Sequence, residues 1–201
     1  MSSVPDGRRA RSERSRAAIV DAFLGLLPEA TRRPTVEEIA TAANVSERSV
    51  YRHFPDVDSL IESAISRRIE LMAPLAVVEV DRDAPFEVRV STFVERRGGF
   101  YEASLPLRRF TDRVRDEIPA IEEIEEIRRV FLRDQMLEVF ATELSTQSAE
   151  DRERLGRTLE AVSSWSTWRH LRTDQGCSTD EAFESMELAV RALLASHQRT
   201  T

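Results

Sequence analysis

Apolar positions along this 201-residue chain recur at three- and four-residue intervals from one end to the other, the period of helices packed on one side. Ile19, Phe23, Leu26 and Leu27 mark a first helix from about Ser12 to Leu27, stopped by Pro28. Val36, Ile39, Ala40 and Ala43 mark a second, opened by Thr35 with Glu38 three residues on, the pairing of a capping box. Asn44 suits the left-handed residue that ends a helix, and Val45 turns back toward the core. Ser46 is a natural N-cap for a third helix, which ends at Phe54 because Pro55 disfavours helical backbone before it. Asp56 opens a fourth, with Val57, Leu60, Ile61, Ala64, Ile65, Ile69 and Met72 on one long face up to Pro74.

The second half keeps the same period. Gly98 and Gly99 interrupt it and predict the end of a helix or a kink. Ser104 and Pro106 then open a helix that ends near Ile118. Pro119 opens another, with Ile121, Ile124, Ile127, Phe131, Leu137, Phe140 and Leu144 in one stripe and Glu122, Glu123, Glu125 and Glu126 as a solvated face. A helix from Ala149 to Thr173 carries Leu155, Leu159, Val162, Trp165 and Trp168 until Gly176 breaks it. A second capping box, Ser178 with Glu181, starts the last helix, which carries Phe183, Met186, Ala189, Val190, Leu193 and Leu194. The run LAVVEV at 75–80 reads as the connection after the fourth helix, and no strand pattern or internal repeat appears, so the predicted fold class is all-α.

One stretch does not behave like a packing helix. NVSERSVYRHF, residues 44–54, has only Val45, Val50 and Phe54 to hold it down. Arg48, Tyr51 and Arg52 then fall on one exposed side, with Ser49 and His53 beside them. Two short helices joined by a three-residue turn have the dimensions of a helix-turn-helix. The residue types suit a DNA groove: arginine for guanine edges or phosphates, serine, tyrosine and histidine for phosphate oxygens. Thr35 and Ser46 cap helix N-termini that can receive backbone phosphates. On spacing alone, a surface helix turned to solvent fits equally well.

Charge sharpens the picture. The net charge is -7, which argues against a generally basic nucleic-acid binder. Its distribution is uneven: residues 1–68 carry a net of +1 and the remainder a net of −8. Arg8, Arg9, Arg11, Arg14 and Arg16 face only Asp6 and Glu13, so the N-terminal end is the one place that would welcome a polyanion. A basic tail without a partner explains that charge equally well. The single cysteine, Cys177, makes no internal disulfide and fits a reducing cytoplasm. No apolar run is long enough to span a membrane, and the N-terminus lacks the apolar core of a secretory signal.

The run TVEEIATAANVSERSVYRHFPDVDSLIESAI resembles the DNA-binding segment of the TetR family of transcriptional regulators. Thr35, Ile39, Ala40, Ala43, Val45, Ser46, Tyr51, His53, Phe54 and Leu60 fall in register with the family pattern, over roughly residues 12–70. Three positions depart from it. Asn44 replaces the usual glycine, Ser49 a common threonine, and Val57 a lysine that meets a phosphate, for which Arg32, Arg33 or the N-terminal arginines would compensate. The resemblance implies a three-helix helix-turn-helix domain with a basic N-terminal arm over 1–73 and a helical effector-binding and dimerisation domain over 74–201. It implies that Tyr51 and His53 contact the DNA backbone and that Arg48, Ser49 and Arg52 lie along the major groove. Thr35 and Ser46 would bind phosphates. It also implies a homodimer through the last two helices and repression as the commoner mode, acting on a palindromic operator.

A pocket among the central helices is a further family expectation, and an effector, if there is one, would bind there. Candidate lining residues are Phe93, Phe100, Tyr101, Phe110, Phe131, Met136, Trp165 and Trp168, although large apolar residues at helical spacing are core by default. Arg96, Arg97, Arg108 and Arg109 would meet either an anionic ligand or their acidic neighbours. No catalytic, metal or cofactor site is expected: His53, His170 and His197 are isolated, and no phosphate-binding glycine loop or nucleophile elbow occurs. The competing reading is a dimeric helical adaptor whose helix-turn-helix no longer binds DNA. It gives no reason for Arg48, Ser49, Tyr51, Arg52 and His53 to stand together.

Overall fold

A computed structural model of the chain describes residues 7–29 and 32–198. Among them are ten α-helices and no strand. In order these are α1 (Gly7–Leu26), α2 (Val36–Ala42), α3 (Glu47–His53), α4 (Val57–Ala76), α5 (Phe86–Val114), α6 (Ala120–Val139), α7 (Ala141–Ser145), α8 (Ala149–Val162), α9 (Trp165–Arg169) and α10 (Thr179–Gln198). Two compact units result, one from Met1–Met72 with Ser104–Ile124, the other from Ala73–Ala103 with Glu125–Thr201. The first therefore takes in a stretch, 104–124, that lies beyond the sequence boundary at 73.

The first unit is organised by the short helices at its N-terminal end. Ile19, Val20 and Phe23 of α1, Ile39 and Ala40 of α2, and Val50 and Phe54 around α3 are all buried. They share one core with Leu60, Ile61, Ala64 and Ile65 of α4 and with Leu107, Phe110 and Val114 of α5. Phe110 meets Phe23 edge-on, ring centroids 5.4 Å apart. Helix α1 begins at Gly7, so Arg9, Arg11, Arg14 and Arg16 lie on a helix; residues 1–6 of the expected basic arm lie outside the described residues.

Both capping boxes form. Thr35 Oγ1 accepts from the Glu38 N–H and Glu38 accepts from the Thr35 N–H; Ser178 and Glu181 repeat the exchange at α10. At the end of α2, the Val45 N–H bonds to the Ala40 carbonyl and the Asn44 N–H to the Thr41 carbonyl, with Asn44 at φ 53°. That is the Schellman arrangement, and asparagine reaches the left-handed region at less cost than most residues. Gly176, at φ 70°, closes the irregular segment before α10.

Several expectations are corrected. Gly98 and Gly99 do not end a helix, and Ser104 and Pro106 open none: α5 runs through all four. Packing overrides propensity here, because Gly98 is where Trp168 and Phe183 press on the helix backbone. A Cβ at Gly98 would stand 2.7 and 2.8 Å from Trp168 ring carbons and closer still to Phe183. Helix α5 ends at Val114 and a 3-10 turn over Arg115–Glu117 follows, so the helical stretch ends near Ile118 as expected. Pro74 falls inside α4.

In α6, Ile127 and Phe131 are 65 % and 43 % exposed, and burial passes instead to Leu132, Met136 and Val139. The helical period from Ile121 runs through Glu125 and Arg128, an ion pair whose side chains are only 17 % and 12 % exposed. The apolar stripe drawn through Ile127 stepped around that pair onto the wrong face. Finally, the helix expected over 149–173 is broken. The buried Ser163 Oγ bonds back to the Leu159 carbonyl, and Ser164 caps α9 by accepting from the Thr167 N–H. Both hydroxyls compete with the helix ladder. A π-helical turn, His170–Asp174, follows α9.

Replacing Gly98 by alanine should overpack the Trp168–Phe183 contact and cost about 1–3 kcal/mol. Thermal denaturation checks this: a lowered Tm for Gly98→Ala, with Gly99→Ala close to wild type because nothing lies within 4 Å of that position.

Candidate nucleic-acid interface

Seven residues make α3, too few for a helix to persist alone in water. Its N-terminus is tied by Ser46, whose Oγ accepts from the Ser49 N–H at 3.3 Å and lies 3.1 Å from the Ser49 hydroxyl. Val50 and Phe54 fix its inner face, each 2 % exposed. What remains outward is polar. Arg48 and Arg52 are exposed, and Tyr51 is 52 % exposed, large for an aromatic residue. Ser49 and His53 are half-buried beside them. All five side chains expected on this face are thus on one short helix, with Ser46 at its start and Thr35 at the start of α2.

The electrostatics around α3 have structure. Burial pulls the His53 pKa below its ordinary value, and Arg52 and Arg16 push it the same way. Arg52 Nη2 lies 3.5 Å from His53 Nε2. A neutral ring leaves the arginines as the cations of this face. Arg16 of α1 was seen in the sequence only as one of a basic group. It stands over the Phe54 ring at 4.7 Å and donates to Ser63 Oγ at 2.7 Å. The signal for it was register: Arg16 precedes Ile19 and Phe23 on the same helical face.

Arg32 and Arg33 do not stand free to replace the lysine absent at Val57. Arg32 forks onto Glu38 with contacts of 2.6 and 2.9 Å, and Arg33 pairs with Asp58 and, at 3.6 Å, with Glu117. Pairs this exposed contribute little to stability because solvent screens them. Asp56 accepts from the Ser59 N–H at 2.7 Å and so starts α4; that hydrogen bond lowers its pKa.

Residues 30–64, which contain α2, the turn and α3, match the family model of bacterial regulatory proteins of the tetR family. This is a TetR-family DNA-binding segment. Solved structures agree on the fold. A TetR-family transcriptional regulator from Streptomyces coelicolor is 20% identical, with a TM-score of 0.72 over 94% of this chain and 84% of its own. A transcriptional regulator from Rhodococcus sp. Rha1 is 15% identical, with a TM-score of 0.69 over 90% of this chain and 97% of its own. No match was found among curated proteins. The family match is confined to this segment, and the solved structures share the all-helical fold over most of the chain.

The eight candidate pocket residues do not form one group. Phe110 belongs to the core of the first unit, and Phe131 is exposed. In the second unit, Tyr101 packs against Trp165 and Trp168, with ring centroids 5.8 and 6.2 Å away, and Trp168 against Phe183 at 5.1 Å. Tyr101 donates to the Ser163 carbonyl, and Trp168 Nε1 to Glu102, which also takes Arg172. Phe93 packs edge-on against Phe140 at 5.1 Å, while Phe100 and Met136 are buried in the same unit. A surface groove of about 540 Å³ lies elsewhere in that unit, along Val77–Arg82 against Gln135, Glu138 and Val139. Among the described residues no three His, Cys, Asp or Glu are placed to hold a metal ion, and no helix is long and apolar enough to cross a membrane.

Hydrogen bonds from Arg32 first, and from the Thr35 backbone, hold the Glu38 carboxyl at about 2, far below its ordinary value. A depressed carboxylate pKa stabilises the fold above the unfolded value and loses that effect as pH falls through the folded one. Glu38→Gln should therefore lower Tm at neutral pH, and the difference from wild type should close as pH falls from about 4.5 to 2. Paired thermal melts across that range measure it; a constant difference would mean the carboxylate charge is not what ties the cap.

Proposed function

We propose that this protein is a transcriptional repressor that binds a palindromic operator as a homodimer and responds to a small-molecule effector. One observation carries the reading: α3 exposes Arg48, Tyr51 and Arg52 together while only Val50 and Phe54 anchor it. In this reading Tyr51 and His53 contact phosphates, and Arg48, Ser49 and Arg52 lie along the major groove. The hydroxyls of Thr35 and Ser46 already serve their own helices, so their part at the DNA is to hold backbone N–H groups toward phosphates. Two copies of α3 about 34–36 Å apart would fit successive major grooves of an inverted repeat.

The dimer forms through the last two long helical segments, α8–α9 and α10. Leu188, 70 % exposed on α10, supports that surface, because an apolar side chain so far out of the core gains most from a partner. Cytoplasmic placement accords with a single free thiol, Cys177. Effector binding belongs to the second unit, and α5 continues from that unit into the first as one helix.

Fluorescence anisotropy against DNA from the protein's own upstream region, over a salt series, tests the reading. Tight binding that survives excess unrelated DNA and weakens with salt is expected. Tyr51→Ala with Arg52→Ala should weaken it roughly 100-fold in a still-folded dimer, as loss of two charge-assisted contacts would. Unchanged affinity would remove α3 from the interface and favour the adaptor. In sedimentation at micromolar concentration the wild type should run at twice the chain mass, and Leu188→Arg should shift it toward the monomer.

A further inference from the structure

Two arginines of α5, eight residues apart, are buried to the same depth and treated in opposite ways. Arg89 and Arg97 are each 4 % exposed. Arg89 is complete. Its guanidinium forks onto the buried Glu143 carboxylate and donates as well to the Val139 and Ala84 carbonyls at 2.8 and 3.1 Å. Arg97 donates once, from Nη2 to the Leu132 carbonyl at 2.7 Å, and lies 4.8 Å from the centroid of the Phe93 ring. Its Nε is buried with no acceptor, and among the described residues no carboxylate pairs with it. Sequence alone left open whether this arginine meets a ligand or an acidic neighbour; no neighbour supplies the acid.

A guanidinium is always charged, and taking it from water without a counter-ion is costly. A carbonyl and an aromatic face offset part of that cost; neither neutralises the charge. The group that would complete the site is an anion presented to the Nε–Nη2 edge, where two parallel N–H donors match the two oxygens of a carboxylate. The surroundings define the rest of it. Phe93, edge-on to Phe140, is apolar and buried, and so is Leu132, whose carbonyl Arg97 meets. One cation in such surroundings suits a single negative charge carried on an apolar body.

We propose that Arg97 is the anchor of a binding site for apolar monocarboxylic acids in the second unit. Its place in regulation rests on the effector reading above, but the site itself is testable without DNA. Calorimetry and thermal shift on the full-length protein would compare hexanoate, octanoate and 4-phenylbutyrate with the alcohols of the same carbon skeletons. The acids should bind about 10- to 100-fold more tightly than their alcohols, the worth of a charge-assisted hydrogen bond at a buried site. Arg97→Met keeps the length and apolar stem and should abolish that preference. Arg97→Lys keeps the charge without the fork and should retain a weaker one, so the proposal does not hang on one variant folding.

Equal binding of acids and alcohols, no acid binding at millimolar concentration, or undiminished acid binding by Arg97→Met would each overturn it. Acid binding that requires Arg97 but leaves operator affinity unchanged would keep the site and remove its role as effector site. Release of DNA by a neutral molecule, with no acid bound, would do the reverse.

Discussion

The burial of Val50 and Phe54 is the contact on which the candidate DNA-binding surface depends. A seven-residue helix has no stability of its own, and α3 exists because those two side chains reach a core built by α1, α2 and α4. Everything outward on α3 inherits its position from them. The Schellman turn at Asn44–Val45 sets the angle at which α3 leaves α2, and the Ser46 cap removes the need for α3 to satisfy its own first N–H groups. Polar side chains are thereby held without being spent on packing. That is the physical difference between a helix that presents residues and one that merely covers a core.

Charge is handled the same way throughout the first unit. Glu38 and Asp56 each close the start of a helix, and Arg32 and Arg33 lie on acids next to those starts. The pairs are exposed, so they orient side chains more than they stabilise the fold. Arg16 does more than the charge count suggested: stacked on Phe54 and bonded to Ser63, it bridges the end of α3 and the side of α4.

Buried charge tells the two halves of the second unit apart. Around Arg89 four of the five N–H donors have acceptors, and the buried Glu143 carboxylate balances its charge. Around Arg97 the protein stops at one carbonyl and one ring. Next to Arg97, Trp168 and Phe183 close on α5 at Gly98, where any larger residue would push the aromatic pair away.

The sequence by itself determined the helical class, both capping boxes, the left-handed Asn44 and the polar face of α3. Each of these is local: a cap, a turn and a helical period are decided within a few residues, and the resemblance over 12–70 rested on that same local grammar. What only the tertiary structure decided is non-local. Whether Gly98 breaks a helix depends on Trp168 and Phe183, some 70 and 85 residues away in sequence, and they close over it instead. Which face of α6 is inside turned on a half-buried pair, Glu125 with Arg128, that a rule placing charges outside passes over. Whether Arg97 has a partner could not be read from its neighbours in the chain, because the acid that would have answered it had to come from another helix, and among the described residues none does.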